Sequence, residues 1–218
     1  MIRSRAHGTS ANTPDLRRVF VVRIHQLLEM GYRRMEAKFF ASQEEPVITG
    51  ELAREMNAVI DDTRSPKWTR SFEAQDEQPI NDGKRKGKSR KRIDIGIRSS
   101  SACPRSHFSF EAKRLGRKNP LRLYLGEEGL QCFLRGEYAA EERDAGMLGY
   151  VQSGTEEAWA QSLQKELQES GAMHSVCDEI FGARHRFTAG PAHTYHSRHA
   201  RRSPRAPIDI FHTFLLFH

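Results

Sequence analysis

The spacing of apolar residues changes several times along the chain, and each change marks an element. From Thr13 to Met30, Leu16, Phe20, Ile24, Leu27 and Leu28 recur at helical spacing behind a Thr13-Pro14-Asp15 start, which predicts an amphipathic helix. A second helix is predicted from Thr49 to Ile60, with Ile48, Leu52, Met56, Val59 and Ile60 on its buried side and Asp61-Asp62 leading out. After Pro66 the period shortens. Trp68, Phe72 and Ala74 predict a half-buried strand, Pro79 to Gly83 a turn, and the strict alternation of Ile93 to Arg98 and of His107 to Lys113 two further strands. Three antiparallel strands in succession are expected. Gly126 to Tyr138 then predicts a helix striped by Leu130, Phe133 and Leu134, and Met147 to Val151 a short buried strand. Thr155 caps a helix whose Trp159, Leu163 and Leu167 share a face, and Ile208 to Phe217 alternates as a last strand.

This order predicts an α/β (α+β) fold with a central mixed β-sheet flanked by helices. The expected organisation is an N-terminal helical extension over 1–46 and a core over 47–170. A basic C-terminal extension over 171–218, carrying a terminal strand, packs on the same domain. The 218 residues fit one large domain with appendages. The three cysteines, Cys103, Cys132 and Cys177, are too few for a disulfide framework. The basic N-terminus has no apolar run after it, and the longest apolar stretch, Phe211 to Phe217, is interrupted by His212 and Thr213. A cytoplasmic protein that does not enter the membrane is expected.

Charge adds direction. The chain carries 35 Lys+Arg against 28 Asp+Glu, or +7, and the excess is local. Lys84 to Arg92 reads KRKGKSRKR, with Lys84, Arg85, Lys86, Lys88, Arg90, Lys91 and Arg92 as its cations. Arg184 to Arg205 holds six arginines, four histidines and no acid. Such runs bind phosphates through charge and counterion release. Within the second, His196 to Arg202 is expected as an exposed loop, with Arg198 and His199 as candidates for a second phosphate-binding surface. Glu127 to Glu169 is the counterweight, with ten acids against Arg135, Arg143 and Lys165.

The candidate chemistry follows from strand parity. Ile93, Ile95 and Ile97 face one way, so Asp94 faces the other, and the same parity puts Glu111 and Lys113 together. If the two strands are neighbours, these three side chains meet. Two adjacent carboxylates repel, whereas a hard divalent cation reverses the sign of that cost, so a Mg²⁺ site (Mn²⁺ also serving) is the economical explanation.

Asp94 in a hydrophobic strand, Glu111-Ala112-Lys113 in the next, and the helix, three strands, helix, strand order resemble the PD-(D/E)XK nuclease superfamily, with its restriction-endonuclease-like core. The resemblance covers roughly Val47 to Gln152, and Ile93 stands where the family's proline precedes the aspartate. It implies that Asp94 and Glu111 ligate the metal and that Lys113 steers or polarises the attacking water. It also implies that Glu51, early in the preceding helix, is an accessory acid. Of three acid-x-Lys triplets, at Glu36, Asp82 and Glu111, only the last has a strand context and the partner Asp94.

The expectation is a metal-dependent endonuclease hydrolysing nucleic acid, DNA before RNA. The resemblance suggests a place in prokaryotic restriction or anti-phage defence, with a partner protein or a homodimer directing it. The basic run enters the Asp94 strand, and Arg114, Arg117 and Lys118 leave the Lys113 strand, as a backbone tracker requires. The alternative is a noncatalytic nucleic-acid-binding or assembly subunit that retains the fold. Such a subunit would gain affinity by losing both acids. The Cys103/His107 and His174/Cys177 spacings are weak zinc signals without any CxxC, and no Gly-rich phosphate loop is present.

Overall fold

The computed structural model describes residues 13–80, 91–100, 106–177, 190–201 and 205–218. Helices α1 (Thr13–Tyr32) and α2 (Glu45–Asp61) precede strands β1 (Phe72–Pro79), β2 (Arg92–Ser99) and β3 (His107–Leu115). Short helices α3 (Leu121–Leu125) and α4 (Leu130–Leu134) lead to β4 (Asp144–Val151), and α5 (Glu156–Glu169) leads to β5 (Thr194–His199) and β6 (Ile208–Leu216).

The six strands form one mixed sheet in the order β1-β2-β3-β4-β6-β5. β1, β2 and β3 are antiparallel neighbours, β3–β4 and β4–β6 are parallel, and β5 pairs antiparallel with β6. The parallel pairs require crossovers, which α3 with α4 and then α5 supply. Helices therefore cover both faces. On one, Ile24, Leu28, Leu52 and Met56 pack with Ile95, Ile97, Phe108 and Phe110; on the other, Tyr124, Leu130, Leu163 and Leu167 pack with Met147 and Phe214. Gly146 lets the Phe110 ring cross β4, since a Cβ there would lie 2.1 Å from Phe110 Cδ1. No helix among the described residues is long and apolar enough to cross a membrane.

Several local expectations need correction. α1 buries Val21, Ile24, Leu27 and Leu28, but Leu16 is 67% exposed. Arg17 takes the inward position instead, donating to Asp144 Oδ2 at 2.5 Å and Asp209 Oδ2 at 2.7 Å, which turns its neighbour outward. Trp68 belongs to a 3-10 turn, Lys67–Ser71, closed by Thr69 onto the Pro66 carbonyl, and β1 starts only at Phe72. Of the helix expected from Gly126 to Tyr138 only Leu130–Leu134 is helical, and a further short helix, α3, precedes the expected start. Gly129 is nonhelical, and a Cβ there would lie 2.2 Å from the Tyr124 carbonyl oxygen, so α3 and α4 stack as two short turns.

The C-terminal segment departs furthest from expectation. β6 is an interior strand between β4 and β5, and β5 occupies the stretch expected as an exposed loop. His196 is 8% exposed and His199 is fully buried. His199 Nδ1 donates to the His174 carbonyl at 2.7 Å, and its Nε2 accepts from Ser197 Oγ at 2.6 Å. Ser197 Oγ also lies 2.7 Å from His212 Nε2, and His212 Nδ1 lies 3.0 Å from the Tyr124 hydroxyl. Polar side chains are buried here because they satisfy one another.

Candidate active site

The candidate site lies where β2 and β3 part. Their pairing runs from Arg98 with His107 to Ile95 with Phe110. Toward Asp94 the β1–β2 ladder also omits a step, from Asp76 with Ile95 to Gln78 with Ile93, and Glu77 between them has φ 44°. The β3 N–H groups past the split need other partners. Asp94 Oδ2 accepts from the Ala112 N–H at 2.7 Å, and Glu45 Oε2 from the Arg114 N–H at 3.0 Å. Carboxylates thus replace a strand, which draws two acids onto one stretch of β3.

Lys113 sits among them. Its Nζ donates to Glu111 Oε1 at 2.8 Å, to Glu45 Oε1 at 3.1 Å and to the Ala112 carbonyl at 2.8 Å. Glu111 is 4% exposed, and its Oε2 has no hydrogen-bond partner. Burial, and then the charge of Asp94, raise the Glu111 pKa well above the carboxylate range. Burial raises Asp94 too, against the lowering influence of Lys113. Burial pulls Lys113 down, but Glu111, Glu45 and Asp94 outweigh it and hold the ammonium charged. Three carboxylates face that ammonium, a balance short of positive charge.

A hard divalent cation would find two neighbouring carboxylates here, one with a buried and unpartnered oxygen, although Asp94, Glu111 and Glu45 do not bring three ligand atoms within 4.8 Å of one another. Asp94 and Glu111 are the residues that would hold it. Glu51 is not drawn into the cluster; both its oxygens are taken by Arg54, at 2.9 and 2.5 Å. The α2 acid at the cluster is Glu45, in the helix's first turn beside Pro46. Its sequence signal was only that of an acid complementing a helix N-terminus. Among the described residues, the group of three potential ligands whose ligand atoms all lie within 4.8 Å of one another is a different one: Glu156, Glu157 and His193, all at least partly exposed. It stands at the start of α5, whose positive end opposes a cation.

A second wall comes from α4 and the loop after it. Lys91 pairs with Glu137, lies 3.7 Å from Cys132 Sγ and sits over the Tyr138 ring at 5.8 Å. Cys132 is pushed up to about 11 by burial, with Glu111 among the charges it feels; burial and Glu111 raise Tyr138 as well. Lys91 is thereby tied to Glu137 and α4.

The other candidate cations are distributed unevenly. Lys84, Arg85, Lys86, Lys88 and Arg90 lie outside the described residues, as does Cys103. Arg92 is exposed and 2.5 Å from Glu77, while Arg114 pairs with Glu44 at 2.6 Å. Arg117 and Lys118 are exposed in the turn after β3, and Arg198 is exposed on β5. His199 is withdrawn from any nucleic-acid surface by its complete burial. No family model matches the chain, no curated protein matches it, and no solved structure matches it.

Proposed function

We propose that the protein is a divalent-metal-dependent nuclease of the PD-(D/E)XK kind, hydrolysing phosphodiester bonds of nucleic acid, DNA in preference to RNA. The observation that carries this reading is the buried, unpartnered Glu111 Oε2 beside Asp94, with the Lys113 ammonium held 2.8 Å from the other Glu111 oxygen. For a binding-only protein the half-buried Asp94 and the buried Glu111 would be a cost, since both repel phosphate. A Mg²⁺ or Mn²⁺ ion held there would supply Lewis acidity and a bound water of lowered pKa.

The residues divide the remaining work. Asp94 and Glu111 provide the hard oxygen ligands. Lys113, anchored by Glu45 and Glu111, offsets negative charge on a phosphate oxygen at the open end of β3. Arg117 and Lys118, exposed just beyond, hold the phosphate backbone without reading sequence. A place in prokaryotic defence, and a partner protein or second copy that directs cutting, belong to the same proposal.

The test is cleavage of supercoiled plasmid and single-stranded DNA by the purified chain with Mg²⁺ or Mn²⁺, beside EDTA, Asp94→Ala and Lys113→Ala. Metal-dependent cutting that both variants lose while retaining DNA binding is the expected result. Cutting that survives in Asp94→Ala overturns the site. Binding without cutting, undiminished in Asp94→Ala, transfers the assignment to a nucleic-acid-binding subunit.

A further inference from the structure

Away from the acid cluster, α3, α5 and the segment after α5 enclose a pocket of about 350 Å³, within the range of small-molecule sites. Leu121, Leu125 and Met173 give it an apolar wall, although Met173 is 72% exposed. Its polar groups are Arg122, Glu127, Gln131, Glu166 and His174.

These polar groups differ in what they have left to offer. Glu127 is paired with Arg135. Glu166 Oε1 accepts from Ser170 Oγ at 3.0 Å, and its second oxygen has no hydrogen-bond partner among the described residues. Arg122 is exposed and forms no hydrogen bond or ion pair among the described residues. His174 is only 4% exposed, with Nδ1 3.2 Å from the Gln131 amide nitrogen. An amide nitrogen donates, so Nδ1 accepts and the neutral ring carries its proton on Nε2. Burial favours the neutral form, lowering the His174 pKa against Glu166. The His174 carbonyl is pinned by His199 Nδ1 at 2.7 Å, so the ring is presented from a fixed backbone.

The pocket thus combines one uncommitted guanidinium, one neutral N–H donor, one carboxylate with a spare oxygen, and an apolar wall. We propose that it binds a small zwitterion bearing an apolar group, of the chemistry of a free apolar amino acid. The ligand carboxylate meets Arg122 and His174 Nε2, the ammonium meets Glu166, and the side chain covers Leu121, Leu125 and Met173. A purely anionic ligand leaves Glu166 opposed to it, and a purely cationic one leaves Arg122 opposed. The inference is independent of the nuclease reading.

The test is calorimetric titration of the full chain with L-phenylalanine, its methyl ester, which lacks the carboxylate, and 3-phenylpropionate, which lacks the ammonium. Phenylalanine is expected to bind roughly tenfold or more tightly than either analogue, and Arg122→Gln and Glu166→Gln each to weaken it by about tenfold. Both positions are at least partly exposed, so the ligand-free melting temperature of these variants should stay close to that of the parent. Absence of phenylalanine binding, equal binding of either analogue, or undiminished binding by a folded Arg122→Gln protein overturns the proposal.

Discussion

Asp94 accepts the Ala112 N–H through Oδ2 at 2.7 Å, which makes this carboxylate a structural partner of β3 as well as a candidate ligand. Asparagine can keep that bond through its amide oxygen, whereas alanine leaves a backbone donor without its partner. Asp94→Asn is therefore expected to abolish metal-dependent cleavage with the melting temperature held or raised. Asp94→Ala should abolish cleavage and also lose about 1–3 kcal/mol of stability. Chemical denaturation of both variants, run beside the plasmid assay, separates the two roles. Equal stability of the pair contradicts the structural one.

Glu111 gives a prediction of opposite sign. Its pKa is raised by burial first and by Asp94 second, so the folded state holds its proton longer than the unfolded chain does. In the metal-free protein this group costs stability as pH rises above the unfolded carboxyl pKa, about 4.3. Glu111→Gln should then raise the metal-free melting temperature at pH 7 to 8, and abolish the further rise with Mg²⁺ expected of the parent protein. A neutral or destabilising effect at that pH would count against an uncompensated charge at this position.

The alternation of Ile93 to Arg98 and of His107 to Lys113 announced β2 and β3, and parity put Glu111 and Lys113 on one face. Ile93, however, does not share the face of Ile95 and Ile97 as parity required: it packs with Tyr124, Leu130 and Met147, while they pack with Leu52 and Met56. What parity does not contain is the parting of β2 from β3 past Ile95 and Phe110, nor which groups take over the lost ladder. Glu45 was invisible for this reason. It looks like any first-turn acid until the Arg114 N–H needs an acceptor. β5 was missed on different grounds. Ser197, His199 and His212 read as polar, and become core only because each satisfies another across β5 and β6. The break at Gly129 was likewise hidden, since it arises from a close approach to the Tyr124 carbonyl rather than from the apolar stripe.

Glu45 and Glu51 make a matched pair of tests on α2. Glu45 holds Lys113 at 3.1 Å and the Arg114 N–H at 3.0 Å, while Glu51 is satisfied by Arg54. Glu45→Gln presents an amide to the ammonium, so Lys113 loses one anionic anchor. A fall of roughly 10- to 100-fold in single-turnover cleavage, with DNA affinity unchanged by fluorescence anisotropy, is expected, the range typical of lost supporting contacts around a metal site. Glu51→Gln should cut at the parental rate. Equal losses in the two variants would mean that α2 acts through its fold and not through Glu45.

The buried histidines set the acid limit of the fold. Burial lowers His25 and His199 to about 4, and burial followed by the charges of His199 and His196 takes His212 well below its ordinary value. His25 lies edge-on to Phe108, Phe110 and Phe211, and His212 lies between Ser197 and Tyr124, so neither admits a charge readily. The unfolded chain protonates these rings near pH 6.5, before the folded one does. Their contribution is therefore complete above about pH 6.5 and is lost as pH falls from there toward 4, at up to ~1.4 kcal/mol per pH unit for each ring. Melting temperatures between pH 8 and 4 should fall along this limb, although Glu111 and Asp94 contribute in the opposite direction. His25→Leu, which keeps an apolar side chain beside the three phenylalanines, should flatten the limb by about one proton's worth. An unchanged slope in a folded His25→Leu protein would mean that His25 titrates alike in both states and that its burial does not govern acid stability.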